Sequence, residues 1–306
     1  MTTSQVTPGN VKENSVLFTT DITTSPLPTG VRGWINEHPL LAYVLLTFGL
    51  TWPLMLGEVL GSRGVIRFRL TFAGTGLILT LFVAYGPTIA ALLVTGLSSG
   101  WPGIRTLLGR LLIWRVGWLW YAVAILLPGV ISTAATALSA LRGEVIAPLP
   151  PFSLGLPFML AISLLVRGIL NGEEIGWRGV ALPHLQRRWN ALTASLILGG
   201  IWALFHLPIF FVQSTSVLGS QNSMNPLAFL IEVVAGAILV TWLFNHTNGS
   251  LLIAYLYHAA VNTWTSEVFH PNSFDNAIVT VVVALIIVVT FGPAHLSRKA
   301  VSTKLE

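Results

Sequence analysis

Cysteine is absent from all 306 residues. That excludes disulfides, zinc–thiolate centres, iron–sulfur clusters and cysteine nucleophiles. Charge is scarce as well: Asp, Glu, Lys and Arg make up 9% of the chain, against roughly a quarter in a soluble domain. A chain so poor in charge cannot cover its surface with polar groups. With 54% hydrophobic residues and a mean hydropathy of +0.77, its natural solvent is lipid. The excess of 16 Lys and Arg over 11 Asp and Glu gives a net charge of +5. These basic residues are dispersed, with no run of the kind that binds nucleic acid, so no nucleic-acid partner is expected. The polar N-terminal stretch lacks a basic segment followed by an apolar one, and reads as a disordered tail over residues 1–37.

What remains is apolar runs. A helix needs about 20 such residues to cross a bilayer, and eight candidates appear, at about 39–60, 71–97, 117–140, 157–182, 191–213, 226–245, 249–266 and 276–294. The expected fold class is therefore all-α, a polytopic membrane bundle of about eight transmembrane helices over residues 38–296. A short basic tail, 297–306, follows it. An even number of spans puts both termini on one side. With the termini inside, Lys12, Arg32, Arg105, Arg110, Arg115, Arg187, Arg188, Arg298, Lys299 and Lys304 face the cytoplasm, against Arg63, Arg67, Arg69 and Arg142 outside. That bias predicts an integral membrane protein with cytoplasmic termini. In the segment 103–117, Arg105, Arg110 and Arg115 recur every five residues and define no single helix face. The segment reads as interfacial, with snorkelling arginines.

Ionisable groups inside spans are costly, roughly 2.5–3.5 kcal/mol each on insertion scales, and mark function by default. Here they concentrate in three spans. The fourth carries Asn171-Gly172-Glu173-Glu174-Ile175-Gly176-Trp177-Arg178-Gly179, the fifth has His206 followed by Pro208, and the seventh has His258 and Asn262. On a helix, Glu174 and Arg178 are i,i+4 and can neutralise each other. Glu173 points about 100° away and is left without a local partner. Gly172, Gly176 and Gly179 offer a seam for close helix approach. Gly199, Ala203 and His206 share a face, which turns the histidine into the bundle. His258 and Asn262 share a stripe with Ala254, behind a turn capped by Ser250. At about 1.5 Å per residue, Glu173, His206 and His258 all fall some 13–22 Å from the cytoplasmic ends of their spans and can converge.

One carboxylate and two imidazoles in a low-dielectric pocket can deprotonate water, and an amide or imidazole donor can stabilise an oxyanion. The same set, Glu173, His206 and His258, comprises candidate ligands for Zn2+ or another divalent metal that would generate hydroxide. A metal-free glutamate mechanism stands beside that reading. No Gly-x-Ser-x-Gly nucleophile elbow is expected, no Ser-x-x-Lys or His-Glu-x-x-His sequence is present, and acyl-enzyme chemistry is not expected.

Glu173-Glu174-x-x-x-Arg178, then His206 on a later span, then His258-x-x-x-Asn262, resembles the CPBP family of intramembrane proteases, also called the CAAX protease and bacteriocin-processing or Abi family. The likeness covers about residues 155–266. It implies a membrane endopeptidase that processes a membrane-associated protein or peptide, of CAAX or leader-peptide type. By that resemblance Glu173 is the water-activating base, His206 assists it, His258 and Asn262 face the oxyanion, and Glu174 with Arg178 is the supporting pair. At the family's frequent Phe four residues before the second-motif histidine, this chain has Trp202. The partners expected are the lipid bilayer and a peptide or membrane-protein substrate, with oligomeric state open. Two other classes fit the same residues: a proton-coupled transporter using the acids and histidines as a relay, and a non-catalytic immunity or maturation factor on the same scaffold. Absence of an internal repeat counts against the first. Arg167 and Glu232 read as structural or rim residues, and Glu58 as interfacial.

Overall fold

A computed structural model describes residues 30–67, 75–151, 153, 155–213 and 225–297, with side chains of 75–80 excepted. Most of the expected N-terminal tail and nearly all of the C-terminal tail lie outside the described residues. So do Arg69 and the first residues of the second expected span. Among the described residues there are helices and no strand.

A short helix α1 (Val31–Glu37) leads into α2 (Pro39–Ser62), α3 (Thr75–Gly109) and α4 (Trp118–Leu141). Then come α5 (Gly155–Leu170), a bent segment built from α6 (Glu174–Gly176), a π-turn (Trp177–Ala181) and α7 (Leu182–Gln186), and α8 (Ala191–His206). The last three are α9 (Pro226–His246), α10 (Leu251–Glu267) and α11 (Ser273–Phe291). Local sequence sets many of these boundaries. Asn190, Asn225, Ser250 and Asn272 each accept a backbone N–H in the first turn of the helix they precede, satisfying donors that a helix start leaves unpaired. Gly100 takes φ +63°, outside helical values, and breaks α3 there. Beyond His206 the chain tightens into a 3-10 turn, Leu207–Phe211, where Pro208 has no N–H to continue the α-helix.

Packing joins α8 to α9, α9 to α11, α11 to α4 and α4 to α10, with α2 against α3 and α5 against α10. Small residues permit the closest approaches. A Cβ at Gly199 would lie 2.8 Å from Val234 Cα of α9, and one at Gly129 would lie 2.7 Å from the Trp264 ring. Trp264 Nε1 in turn donates to Ile125 O of α4 at 2.7 Å.

Six helices are long and apolar enough to cross a membrane, with a seventh if the bent pair Gly155–Leu170 and Glu174–Gln186 counts as one span. The expected span that is not among them is the seventh, which corresponds to α10. At 17 residues it extends only about 25 Å, shorter than the core it would cross, and its polar stripe of His258 and Asn262 lowers its apolarity. The larger departure is the fourth span, expected as one helix over 157–182. It is broken at residues 171–173 and turns by 59°. A break in apolar surroundings exposes carbonyls that need donors, and α3 supplies them: Thr88 Oγ1 donates to Gly172 O at 2.5 Å, and Tyr85 OH donates to Ile169 O. Glu58, expected at the interface, is fully buried in α2.

Candidate active site

The broken span positions the acids. Asn171 Oδ1 accepts the Glu173 backbone N–H at 3.3 Å, just before α6 begins at Glu174. The glycine seam seats this segment on its neighbours. Gly172 faces the ring of Tyr85, Gly176 faces Tyr43 OH and lies where a Cβ would come 2.6 Å from Pro87 O, and Gly179 backs onto Leu107. Because Pro87 O is backbone, Gly176→Ala is expected to destabilise by about 1–3 kcal/mol through overpacking, read as a lower melting temperature in detergent. An unchanged melting temperature would mean α3 can yield at this point. The π-turn that follows leaves Trp177 and Arg178 fully buried. Such turns inside helices recur at functional sites.

The two adjacent glutamates have separate surroundings. Glu174 Oε1 accepts from Arg178 Nη1 at 3.0 Å and from His258 Nδ1 at 2.7 Å. Both side chains of the Glu174–Arg178 pair are 0% exposed, as expected of a supporting ion pair. Arg178 also lies over the Trp202 ring, 4.5 Å from its centroid. Glu173, expected from helical spacing to lack a local partner, has two. Its Oε2 accepts two indole N–H groups, from Trp177 Nε1 at 2.9 Å and Trp202 Nε1 at 2.6 Å. Trp177 is itself i+4 from Glu173, so that donor was available to the spacing argument that found Glu174–Arg178. Trp202 stands on α8, and only folding brings it near.

With Oε2 occupied, Oε1 of Glu173 faces His206 Nε2 across 3.7 Å. The other ring nitrogen, Nδ1, donates to Trp202 O at 2.9 Å, which fixes the imidazole and leaves Nε2 directed at the carboxylate. His206 does look into the bundle, packing its ring against Phe205 and Phe229. His258 stands beside Trp202, ring centroids 5.3 Å apart, with Nδ1 held by Glu174 so that Nε2 is its free nitrogen. Asn262 lies one turn further along α10, partly buried and with no side-chain hydrogen bond among the described residues. Glu173, His206 and His258 side chains keep 12–13% exposure, while Glu174 and Arg178 have none. Solvent therefore reaches one acid of the pair and not the other.

The three candidate metal ligands are not gathered at one point. Among the described residues no three His, Asp or Glu side chains are grouped to hold a metal ion. His258 turns Nδ1 to Glu174, and Glu173 gives Oε2 to two indoles. In this arrangement Glu173 and His206 face each other while His258 is held by Glu174. One serine pattern, read in the sequence as absent, is present without the geometry of a nucleophile. Gly96-Leu97-Ser98-Ser99-Gly100 has the Gly-x-Ser-x-Gly spacing, but it lies inside α3, with Ser98 Oγ on Thr95 O at 3.3 Å. A nucleophile elbow requires a strand-to-helix turn, which this is not. Arg167 pairs with Glu267 at 2.7 Å, joined by Ser163, tying α5 to α10. Glu232 accepts from Asn276 Nδ2 at 2.7 Å between α9 and α11.

Residues 151–264 match the family described as "Type II CAAX prenyl endopeptidase Rce1-like". This segment is similar to the CAAX proteases. It contains Glu173, Glu174, Arg178, His206, His258 and Asn262, every residue of the constellation. The chain is also similar to CAAX prenyl protease 2 of Methanococcus maripaludis, at 30% identity over 113 residues. That match covers 36% of this chain and 41% of the relative's length. The matched segment runs from just before α5 to near the end of α10, so α2, α3, α4 and α11 lie outside it.

At Trp202 the structure shows what the indole adds over a phenyl ring: one more N–H on the acid. Trp202→Phe keeps the ring beside Arg178 and removes that donor. If Glu173 is the reacting group, loss of this charge-assisted hydrogen bond is expected to lower kcat about tenfold, with KM little changed. A kcat within twofold of wild type would show that Trp177 alone orients Glu173.

Proposed function

We propose that this protein is an intramembrane endopeptidase in which Glu173 and His206 activate water against a peptide bond of a membrane-anchored substrate. The observation that carries this reading is the facing pair Glu173 Oε1 and His206 Nε2, 3.7 Å apart, slightly open to solvent beside a dry ion pair. A water molecule held by both loses a proton to Glu173 as its oxygen attacks the scissile carbonyl. His258 Nε2 and the Asn262 amide are the groups assigned to the developing oxyanion. Glu173 then delivers its proton to the departing amine as the carbon–nitrogen bond breaks, which returns the carboxylate. Glu174 takes no proton in this scheme; it orients His258 through Nδ1 and is neutralised by Arg178.

The substrate class proposed is a prenylated C-terminal peptide, supported by the description of the matching family and the name of the archaeal relative. The bias of Lys and Arg supports both termini on the cytoplasmic side. Purified protein in liposomes should cleave a peptide whose fourth-from-last residue is S-farnesylcysteine and leave the unprenylated peptide intact. Equal cleavage of both would remove the prenyl group from the proposal, and cleavage of neither would remove this substrate class.

A further inference from the structure

Three arginines, Arg110, Arg187 and Arg188, carry no ion pair to an acid among the described residues. Arg110 stands half buried in the 3-10 turn after α3, and Arg187 and Arg188 are exposed in the turn after α7. The charges of Arg110 and Arg187 act on each other, and both act with Arg188 on His184, so side chains from two separate segments converge. Ion pairs among the described residues involve Arg142, Arg167 and Arg178 but none of these three.

The surface that carries them is docked, not trailing. Leu107 is buried against Gly179, and Ser250 Oγ donates to Ile113 O at 2.7 Å, anchoring the stretch after α3 to the start of α10. In and next to the same two segments of chain, Trp101, Trp114, Trp118 and Trp189 are exposed, and Arg115 lies over the Trp114 ring. Exposed tryptophans at helix ends mark the headgroup level of a bilayer. Arginine forks match phosphate oxygens in geometry, and basic pockets between membrane helices take anionic head groups.

We propose that Arg110, Arg187 and Arg188 form a binding site for the phosphate of an anionic phospholipid drawn from the surrounding bilayer. One headgroup there spans the 3-10 turn after α3 and the turn after α7, neutralising repulsion between Arg110 and Arg187. Zwitterionic lipids bring their own cation and gain less. A ligand that binds only the folded chain raises its melting temperature, and that gives the test. The full chain in neutral detergent is unfolded with phosphatidylglycerol, phosphatidylcholine or inorganic phosphate present. Phosphatidylglycerol is expected to raise the midpoint by several degrees, and the other two are expected to leave it in place. The combined Arg110→Gln and Arg187→Gln variant should lose that rise, while Arg67→Gln, outside the cluster, should keep it. If the double variant does not fold, Arg187→Gln alone, at an exposed position, should lose most of the rise. An equal shift with phosphatidylcholine, an equal shift with inorganic phosphate, or a full shift in the Arg187 variant would each overturn the site.

Discussion

Arg178→Ala is expected to destabilise the protein by about 3–5 kcal/mol, the cost of leaving a buried charge unpaired. Glu174 is fully buried, and without the guanidinium only His258 remains on its oxygen. The same change removes the cation from the Trp202 face and leaves a gap beside the π-turn. The double variant Glu174→Gln with Arg178→Met removes both charges at similar volume, and should recover most of the loss. Thermal unfolding in detergent separates the cases: Arg178→Ala well below wild type, the double variant near it. Activity need not return with stability, because His258 would then lack the carboxylate that orients Nδ1. An Arg178→Ala midpoint equal to wild type would mean that the pair is not what holds this segment.

Glu173→Gln should behave in the opposite way. Glutamine keeps an oxygen able to accept the Trp177 and Trp202 N–H groups, so the fold should persist and the melting temperature should barely move. What it cannot do is take a proton from water. General-base contributions of about a hundred- to ten-thousand-fold set the expectation, a loss in kcat on the order of a thousand-fold with KM little altered. His206→Gln should lose less, since in the proposed scheme it assists the base and is not the base. These two variants, measured by peptide turnover and unfolding together, separate a group that reacts from one that supports. A Glu173→Gln enzyme within tenfold of wild type would transfer the role to another residue.

Much of this arrangement was written in local spacing. The i,i+4 relation of Glu174 and Arg178, the inward turn of His206, the seam of Gly172, Gly176 and Gly179, and the Ser250 cap follow from helical periodicity within single segments. They appear as read. What spacing did not reveal depends on partners far along the chain. The fourth span breaks at Asn171-Gly172-Glu173 because Tyr85 and Thr88 of α3 satisfy the carbonyls the break exposes. An apolar run of suitable length carries no sign of that. His258 gives Nδ1 to Glu174, while Glu173 faces His206. Three groups that could share a depth therefore divide into two clusters bridged by Trp202. Glu58 illustrates the same limit: proximity to a helix end suggested an interfacial position, and packing of α2 buries it.

Oxygen-isotope labelling of the cleavage product tests the central claim most directly. Wild-type protein in liposomes is given the S-farnesylcysteine peptide in H2(18)O, alongside Glu173→Gln protein prepared identically, and the products are weighed by mass spectrometry. The account predicts a released tripeptide and a shortened peptide whose new carboxylate carries one heavy oxygen, formed by wild type and nearly absent with Glu173→Gln. A labelled product formed equally by both proteins, or no product from wild type, would contradict it.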